Sequence, residues 1–147
     1  MRNPLVYLMF FLLMAVTVTG CNTLAKQPQI TRASIEPSLL SPGESAVITL
    51  TVKDRHKIVH RIEGIVLEDP RLTFRLRDDG QTPDEKAGDN VWSMRVDVPF
   101  QAPPGEFRLE FTAFDDHGAP ISIRDEHSRV IPLQQVLQIK IEYPPQS

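Results

Sequence analysis

The chain has 147 residues and a formal net charge of −3, from 16 Lys and Arg against 19 Asp and Glu. This mild acidic balance, with both signs interspersed, excludes the basic patch that is typical of nucleic-acid binding. The single cysteine, Cys21, has no partner, which excludes an internal disulfide and a thiolate metal site. We therefore expect a domain that is held together by its own apolar core.

The N-terminal segment has the pattern of an export signal. Arg2 and the amino terminus supply positive charge, and Leu5–Val18 is an apolar run that ends in small residues. These three features together are typical of a secretory signal peptide. The run is shorter than the roughly 20 residues that a membrane-spanning helix needs, although a plain spanning helix or a buried strand is the alternative.

Thr19, Gly20 and Cys21 close the apolar run and resemble the lipobox of bacterial lipoproteins. The resemblance implies cleavage between Gly20 and Cys21, a diacylglycerol thioether on the Cys21 sulfur, and acyl chains such as palmitate. Asn22 stands where an aspartate would signal inner-membrane retention, so the family rule implies an outer-membrane lipoprotein that faces the periplasm or the cell surface. The expected organisation is a signal peptide (1–20), a lipidated tether (21–29) and one domain (30–147).

From Ile30 onward, apolar and polar residues mostly alternate, which is typical of strands with one buried face. The alternation is clearest over Ser45–Lys53 and Arg71–Arg77, while Ile58–Leu67 is apolar on both faces. Proline and glycine mark the turns between these segments. Further strands are predicted over Ile30–Ile35, Val91–Val98, Glu106–Phe114 and about Val136–Tyr143, with a less regular stretch around Ile121 and Ile123.

About seven short strands without an amphipathic helix predict an all-β protein, an antiparallel two-sheet sandwich of immunoglobulin type. A small barrel is the alternative. The alternation places Leu72 and Tyr143 inward and Ser93 outward. The predicted core consists of Ile48, Leu50, Phe74, Leu76, Trp92, Met94, Val96, Phe107, Leu109, Phe111, Ile139 and Ile141.

Three stretches resemble bacterial extracellular immunoglobulin-like domains. They are Ile35-Glu36-Pro37 with Ser41-Pro42-Gly43-Glu44, Asp78-Asp79-Gly80 with Ala87-Gly88-Asp89-Asn90-Val91-Trp92, and Pro104-Gly105-Glu106-Phe107 with Ala113-Phe114-Asp115-Asp116-His117-Gly118. The resemblance covers about Ile30 to Tyr143 and implies the fold and an extracytoplasmic setting, but no activity. Asn90 replaces the usual glycine of these domains, a mild change because asparagine tolerates the left-handed region. Thr82-Pro83 replaces a glycine-containing spacer.

The polar connection from Asp78 to Asn90 is the strongest candidate for a site. Ca²⁺ takes six to eight oxygen ligands from acidic loops, but the spacing here does not fit the EF-hand pattern. A solvated hairpin with Asx-turns is the favoured interpretation. Calcium is the alternative, with Asp115 and Asp116 contributing only if both loops lie at one end of the sandwich. The calcium ligands would be Asp78, Asp79, Asp84 and Asp89.

The remaining polar residues do not form a motif for chemistry. On a strand His56 and His60 would lie about 13 Å apart, which argues against zinc. The outward arginines predict cross-strand ion pairs with Asp97 and Glu110, and a surface for an anionic glycan or lipopolysaccharide is the alternative. These arginines are Arg71, Arg75, Arg77, Arg95 and Arg108.

No catalytic motif is present in the sequence, so an enzyme is not expected, and a small envelope hydrolase is the least supported hypothesis. The sequence favours a lipid-anchored, non-catalytic binding or adaptor module of the cell envelope. Its partners would be the membrane, through the lipid, and an envelope protein or glycan; no nucleic acid and no cofactor are expected. A calcium-stabilised structural domain is the alternative.

Overall fold

The computed structural model describes residues 27–143. The predicted signal peptide, its cleavage site at Gly20 and the lipidation site at Cys21 lie outside the described residues. Within residues 27–143 the chain forms strands and turns without a helix, as the sequence predicts. None of the described residues therefore belongs to a helix long and apolar enough to cross a membrane.

Ten strands follow one another in the described chain. They are β1 (Gln29–Glu36), β2 (Leu39–Leu40), β3 (Ser45–Lys53), β4 (Arg61–Val66), β5 (Asp69–Leu76), β6 (Val91–Asp97), β7 (Gly105–Phe114), β8 (Ser122–Arg124), β9 (Val130–Pro132) and β10 (Gln134–Ile141).

Two main sheets and one hairpin account for these strands. The first sheet has the order β1-β3-β6, the second has the order β2-β10-β7-β4-β5, and β8 pairs with β9. The pairings are antiparallel except that of β2 with β10, where Leu39 lies opposite Lys140 in a parallel ladder. The all-β prediction is thus confirmed, and two sheets around one core are consistent with a β-sandwich.

The core follows from the period of two along the strands. On β3, Ile48 and Leu50 are fully buried, and Thr49 between them points away from the core. They belong to the same apolar cluster as Leu109 and Phe111 of the second sheet. Predicted core residues that are buried are Ile48, Leu50, Leu76, Leu109, Phe111, Ile139 and Ile141, while Phe74, Trp92, Met94, Val96 and Phe107 are partly buried and pack against them.

Gly64 allows the closest approach within this core. It lies opposite Phe111 in the β4–β7 ladder, and a Cβ at Gly64 would come within 2.5 Å of the Phe111 ring. The missing side chain leaves room for the ring over the strand, because sheet glycines often mark a site where another group approaches closely.

Three inward or outward assignments from the sequence are wrong. Leu72 is 53% exposed because the β4–β5 register shifts between Ile65 and Val66, which leaves this part of β5 out of step with the ladder. Tyr143 is also 53% exposed because β10 ends at Ile141. Ser93, expected outside, is buried at a point where its backbone forms an isolated β-bridge with Arg77 of the other sheet's edge.

Two boundaries also differ from the prediction. β4 begins at Arg61 and not at Ile58, since the Val59 N–H donates to the Asp54 carboxylate at 2.7 Å and not to a neighbouring strand. The stretch after Ile121 forms the β8–β9 hairpin, which the sequence pattern does not reveal because each of its strands has only 3 residues.

The strand registers define two ends of the molecule. The near end contains Gln27, the connections 54–60, 77–90 and 115–121, and the β8–β9 hairpin; the pairs Gln29↔Lys53, Thr51↔Val91 and Arg61↔Phe114 lie beside it. The far end contains the connections 37–44, 67–68 and 98–104 and the chain after Ile141; the pairs Glu36↔Val47, Ser45↔Asp97 and Ile141↔Gly105 lie there.

Candidate functional site

Asp78 organises the acidic loop at the near end. Its Oδ1 accepts hydrogen bonds from the backbone N–H groups of Gly88 (2.7 Å) and Asp89 (3.2 Å), and its Oδ2 accepts one from Asn90 (3.0 Å). Asn90 has a left-handed φ of 66°, which asparagine tolerates as the sequence analysis expects. One carboxylate thus fixes the returning arm of the loop.

Asp84 fixes the first part of the loop, around Gly80, from a buried position. Its side chain is buried at 5% exposure, and its Oδ2 accepts a hydrogen bond from Gly80 N–H at 2.5 Å. Gly80 has a φ of 73°, and a Cβ there would lie 3.0 Å from the Ala87 nitrogen. Glycine at this position therefore lets the two arms of the loop approach each other.

The structure brings three of the four predicted calcium ligands together. Asp78, Asp84 and Asp89 have carboxylate oxygens within 4.8 Å of one another. Asp79 is not in this group, because its carboxylate accepts the Gln81 N–H (3.0 Å) and lies 4.0 Å from the Arg77 guanidinium. The carboxylates serve as backbone acceptors, the Asx-turn arrangement that the sequence favours, while calcium binding stays a prediction.

Two turns at the near end share one hydrogen-bond pattern. In Asp115–Ala119, Asp115 Oδ1 accepts the N–H groups of His117 (2.9 Å) and Ala119 (2.8 Å). In Asp125–Arg129, Asp125 Oδ1 accepts the N–H groups of His127 and Arg129, both at 2.9 Å. The fourth residue of each turn is left-handed, Gly118 with a φ of 79° and Ser128 with a φ of 62°. The repeated Asp-x-His signal is visible in the sequence but too short to predict a repeat.

Hydrogen bonding to the ionised form lowers the pKa of both turn aspartates. The Ala119 N–H is the largest influence on the Asp115 pKa, followed by the opposing effect of desolvation. For Asp125 the Arg129 side chain lowers the pKa most, through a contact of 2.6 Å. Both aspartates therefore belong to the architecture of their turns.

Two open clefts lie between these near-end loops, and His60 lines both. One has a volume of about 600 Å³ and includes Lys57, Asp115 and Asp116 in its wall. The other, about 330 Å³, lies beside Arg75, Asp78 and Trp92. The two acidic loops thus share one end of the molecule. Among residues 27–143, Asp115, Asp116 and the exposed His117 form a second cluster of possible metal ligands, separate from the one around Asp78.

The outward arginines make ion pairs mainly with near neighbours in the fold. Arg71 contacts Asp69 at 2.8 Å, Arg95 contacts Asp97 at 3.2 Å, and Arg108 contacts Glu68 at 2.9 Å. Asp97 is therefore paired, but with Arg95 of its own strand, and the prediction of a cross-strand pair is wrong. Within residues 27–143, no arginine pairs with Glu110 and Arg75 makes no ion pair. Exposed pairs of this kind contribute little to stability, because water screens the two charges.

The far end exposes large apolar side chains. We name Leu39, Phe100 and Tyr143 the far-end surface; they are 52%, 79% and 53% exposed. An exposed apolar patch on a domain of this size often marks an interaction site. The alternating pattern of the strands does not predict this surface. The one indication of it in the sequence is Phe100, an aromatic residue that lies in a proline-rich connection and outside every predicted strand.

Local contacts hold the far-end surface in place. The Phe100 ring lies so close to Gly43 that a Cβ there would come within 2.5 Å of it, and Gly43 N–H donates to Val98 O at 2.9 Å. Tyr143 Oη donates to Ala102 O at 3.0 Å. The exposed rings are therefore positioned before any partner arrives, which lowers the entropic cost of binding.

No known family model and no curated protein matches this chain.

Proposed function

We propose that this chain is a lipid-anchored, non-catalytic binding module of the bacterial cell envelope, built on an immunoglobulin-like domain. Three properties support the proposal: the strand order, the position of Gln27, which is the first described residue, and the far-end surface. The last of these carries it, since it gives the domain a surface with which to bind.

The strand order supports an immunoglobulin-like sandwich. In that fold two antiparallel sheets are connected as Greek keys. Here the chain passes between the two main sheets from β3 to β4, from β5 to β6 and from β6 to β7. In the five-stranded sheet β7 lies between β10 and β4, and neither of these strands is its neighbour in sequence. A barrel in which each strand pairs with the next one along the chain would not have this order.

The position of the first described residue supports a membrane anchor at the near end. Gln27 lies at this end, and Cys21 is close before it in the sequence. At no more than about 3.6 Å per residue, the connection from Cys21 to Gln27 spans at most about 22 Å. A lipid on Cys21 would therefore keep the near end close to the bilayer and direct the far end away from it. The outer membrane is the proposed location, because Asn22 follows the cysteine.

The chemistry of the far-end surface indicates its partner class. Carboxylates from four strands or their flanks lie at the same end, and Lys140 is already paired with one of them, Glu142. An envelope protein that presents apolar side chains flanked by lysine or arginine would complement this surface in both shape and charge. The carboxylates are Glu36, Glu44, Glu106 and Glu142.

A crosslinking experiment tests the binding function. A photoreactive amino acid replaces Phe100 in the full chain, in living cells, and the matched control carries it at Val136, which is 42% exposed in the middle of β10. We expect a discrete crosslinked species from position 100, weakened by an additional Leu39→Glu change, and none from position 136. Equal crosslinking at both positions would contradict a specific far-end partner.

A labelling experiment tests the anchor. Cells receive a palmitate analogue that can be detected on the protein, and the chain is compared with its Cys21→Ser variant. We expect label and outer-membrane fractionation for the parent chain, and loss of both in the variant. A variant that retains the label and is processed normally would contradict lipidation at Cys21.

A further inference from the structure

The β8–β9 hairpin at the near end exposes two apolar side chains, one on each face. Val130 is 63% exposed and Ile131 is 37% exposed, although both belong to a strand. We name these two residues the hairpin tip surface. Because they are adjacent on β9, their side chains leave the strand on opposite faces. The short hairpin buries neither of them against the sandwich core, whose apolar cluster includes Ile121 and Leu133 at the base of the hairpin.

The start of the described chain is bound to this hairpin. Arg124 N–H donates to Gln27 Oε1 at 2.6 Å, and Gln27 Nε2 donates to Arg124 O at 3.3 Å. Arg124 lies opposite Val130 in the β8–β9 ladder. The segment that leads back to Cys21 therefore departs from a point directly beside the hairpin tip surface.

We propose that the hairpin tip surface lies in the interfacial layer of the bilayer that carries the Cys21 lipid. This inference rests on the proposed lipidation. The distance from Cys21 to Gln27 is at most about 22 Å, less than the thickness of one bilayer, so the lipid holds the hairpin within reach of the headgroups. Burying Val130 and Ile131 there removes apolar area from water, which is favourable.

The charges around the hairpin determine the kind of membrane contact. Arg124 and Arg129 are offset by Asp125 and Glu126, and the Arg129 guanidinium is bound to Asp125 at 2.6 Å. The tip has no excess of positive charge with which to attract anionic lipids. The contact is therefore apolar, and it forms equally on neutral phosphatidylcholine vesicles and at high salt. With the lipid as the first attachment, the hairpin supplies a second that fixes the orientation of the far-end surface.

The test uses the full chain, expressed in bacteria, purified with its lipid and reconstituted into phosphatidylcholine vesicles with brominated acyl chains. A Val130→Cys variant carries an environment-sensitive fluorophore, and a Val136→Cys variant is the matched control on an exposed valine away from the tip. Because the lipid blocks the thiol of Cys21, each chain takes one dye. We expect blue-shifted emission and bromine quenching at position 130 but not at position 136, unchanged by high salt.

The other outcomes separate the two proposals. Two dyes per chain would show that Cys21 is free, which overturns the lipid anchor and this inference together. One dye with solvent-like emission at position 130 overturns the membrane contact alone. A concentration-dependent blue shift without bromine quenching would assign the hairpin tip surface to a second copy of the chain and also overturn the membrane contact.

Discussion

The two ends of the molecule use their side chains in opposite ways. At the near end, carboxylates turn inward and accept backbone N–H groups, as Asp78 does for three residues of its loop. At the far end, Phe100 and Tyr143 project into solvent while their backbones and neighbours are held in place.

The comparison shows that a high density of acidic residues does not by itself indicate a binding site. The near-end aspartates already have hydrogen-bond partners within the chain, so a ligand would have to displace those partners. The far-end apolar area has no such partner among the described residues, and covering it would release water without breaking a hydrogen bond. We therefore expect changes at the near end to affect stability and changes at the far end to affect binding.

The largest expected effect is the loss of Asp78. An Asp78→Ala change leaves the N–H groups of Asp89 and Asn90 without their acceptor, and leaves Gly88 with only its 3.3 Å bond to the carbonyl of residue 78. We therefore expect the free energy of unfolding to fall by about 2–3 kcal/mol. Denaturant titration measures this. Asp79→Ala is the control, because its carboxylate accepts one exposed N–H, and its loss should stay below about 1 kcal/mol. Equal losses would show that Asp78 does not organise the loop.

The sequence predicts the fold where local chemistry determines structure. Ser45–Lys53 alternates and becomes the central strand of its sheet, and the glycines and aspartates of 78–90 predict a loop. It does not predict the β4–β5 register shift. The alternation of β5 places Leu72 inside, and the shift puts it outside. The far-end surface depends on residues distant in sequence, Leu39, Phe100 and Tyr143, which only the folded chain brings to one end.

The two turns with one hydrogen-bond pattern, Asp115–Ala119 and Asp125–Arg129, provide the next comparison. Gly118→Ala puts a Cβ on a residue with a φ of 79°, which we expect to cost about 1 kcal/mol of unfolding free energy. In the matching turn, Ser128 already carries a side chain at a φ of 62°. Ser128→Gly should therefore stabilise the protein by a few tenths of a kcal/mol, since glycine adopts this conformation without strain but is more flexible when unfolded. Thermal melts measure both variants. If both raised the melting temperature, or both lowered it, the shared geometry of the two turns would be contradicted.

A smaller effect concerns acid. The Ala119 N–H holds the pKa of Asp115 below its ordinary value of 3.8. A lowered folded-state pKa contributes stability that is present well above pH 3.8 and is lost as the pH falls through the folded-state pKa. Asp115→Asn keeps an acceptor oxygen but cannot ionise. We expect the variant to be slightly less stable than the parent at pH 7, with the difference disappearing as the pH falls through the lowered pKa of Asp115.

The far end gives the control for this acid effect. There the Ser45 hydroxyl, with Arg95 second, lowers the pKa of Asp97. Asp97→Asn should show the same pH dependence, although the Asp97 carboxylate accepts hydrogen bonds from side chains and that of Asp115 accepts them from the backbone. A stability difference that persists unchanged into acid would contradict the role assigned to either carboxylate.

The smallest expected effect is that of calcium, and it tests the comparison of the two ends most directly. Calcium would need six to eight oxygens, and the loop offers Asp78, Asp84 and Asp89 within 4.8 Å of one another. All three already accept backbone N–H groups, and Asp84 is buried at 5% exposure. Binding to the folded state alone would raise the melting temperature, and the rise would grow with the logarithm of the calcium concentration at saturating levels. We expect calcium and a chelator to leave the melting curve unchanged. A rise that Asp89→Asn abolishes and Asp79→Asn preserves would instead make the near end a metal site built from the three clustered carboxylates.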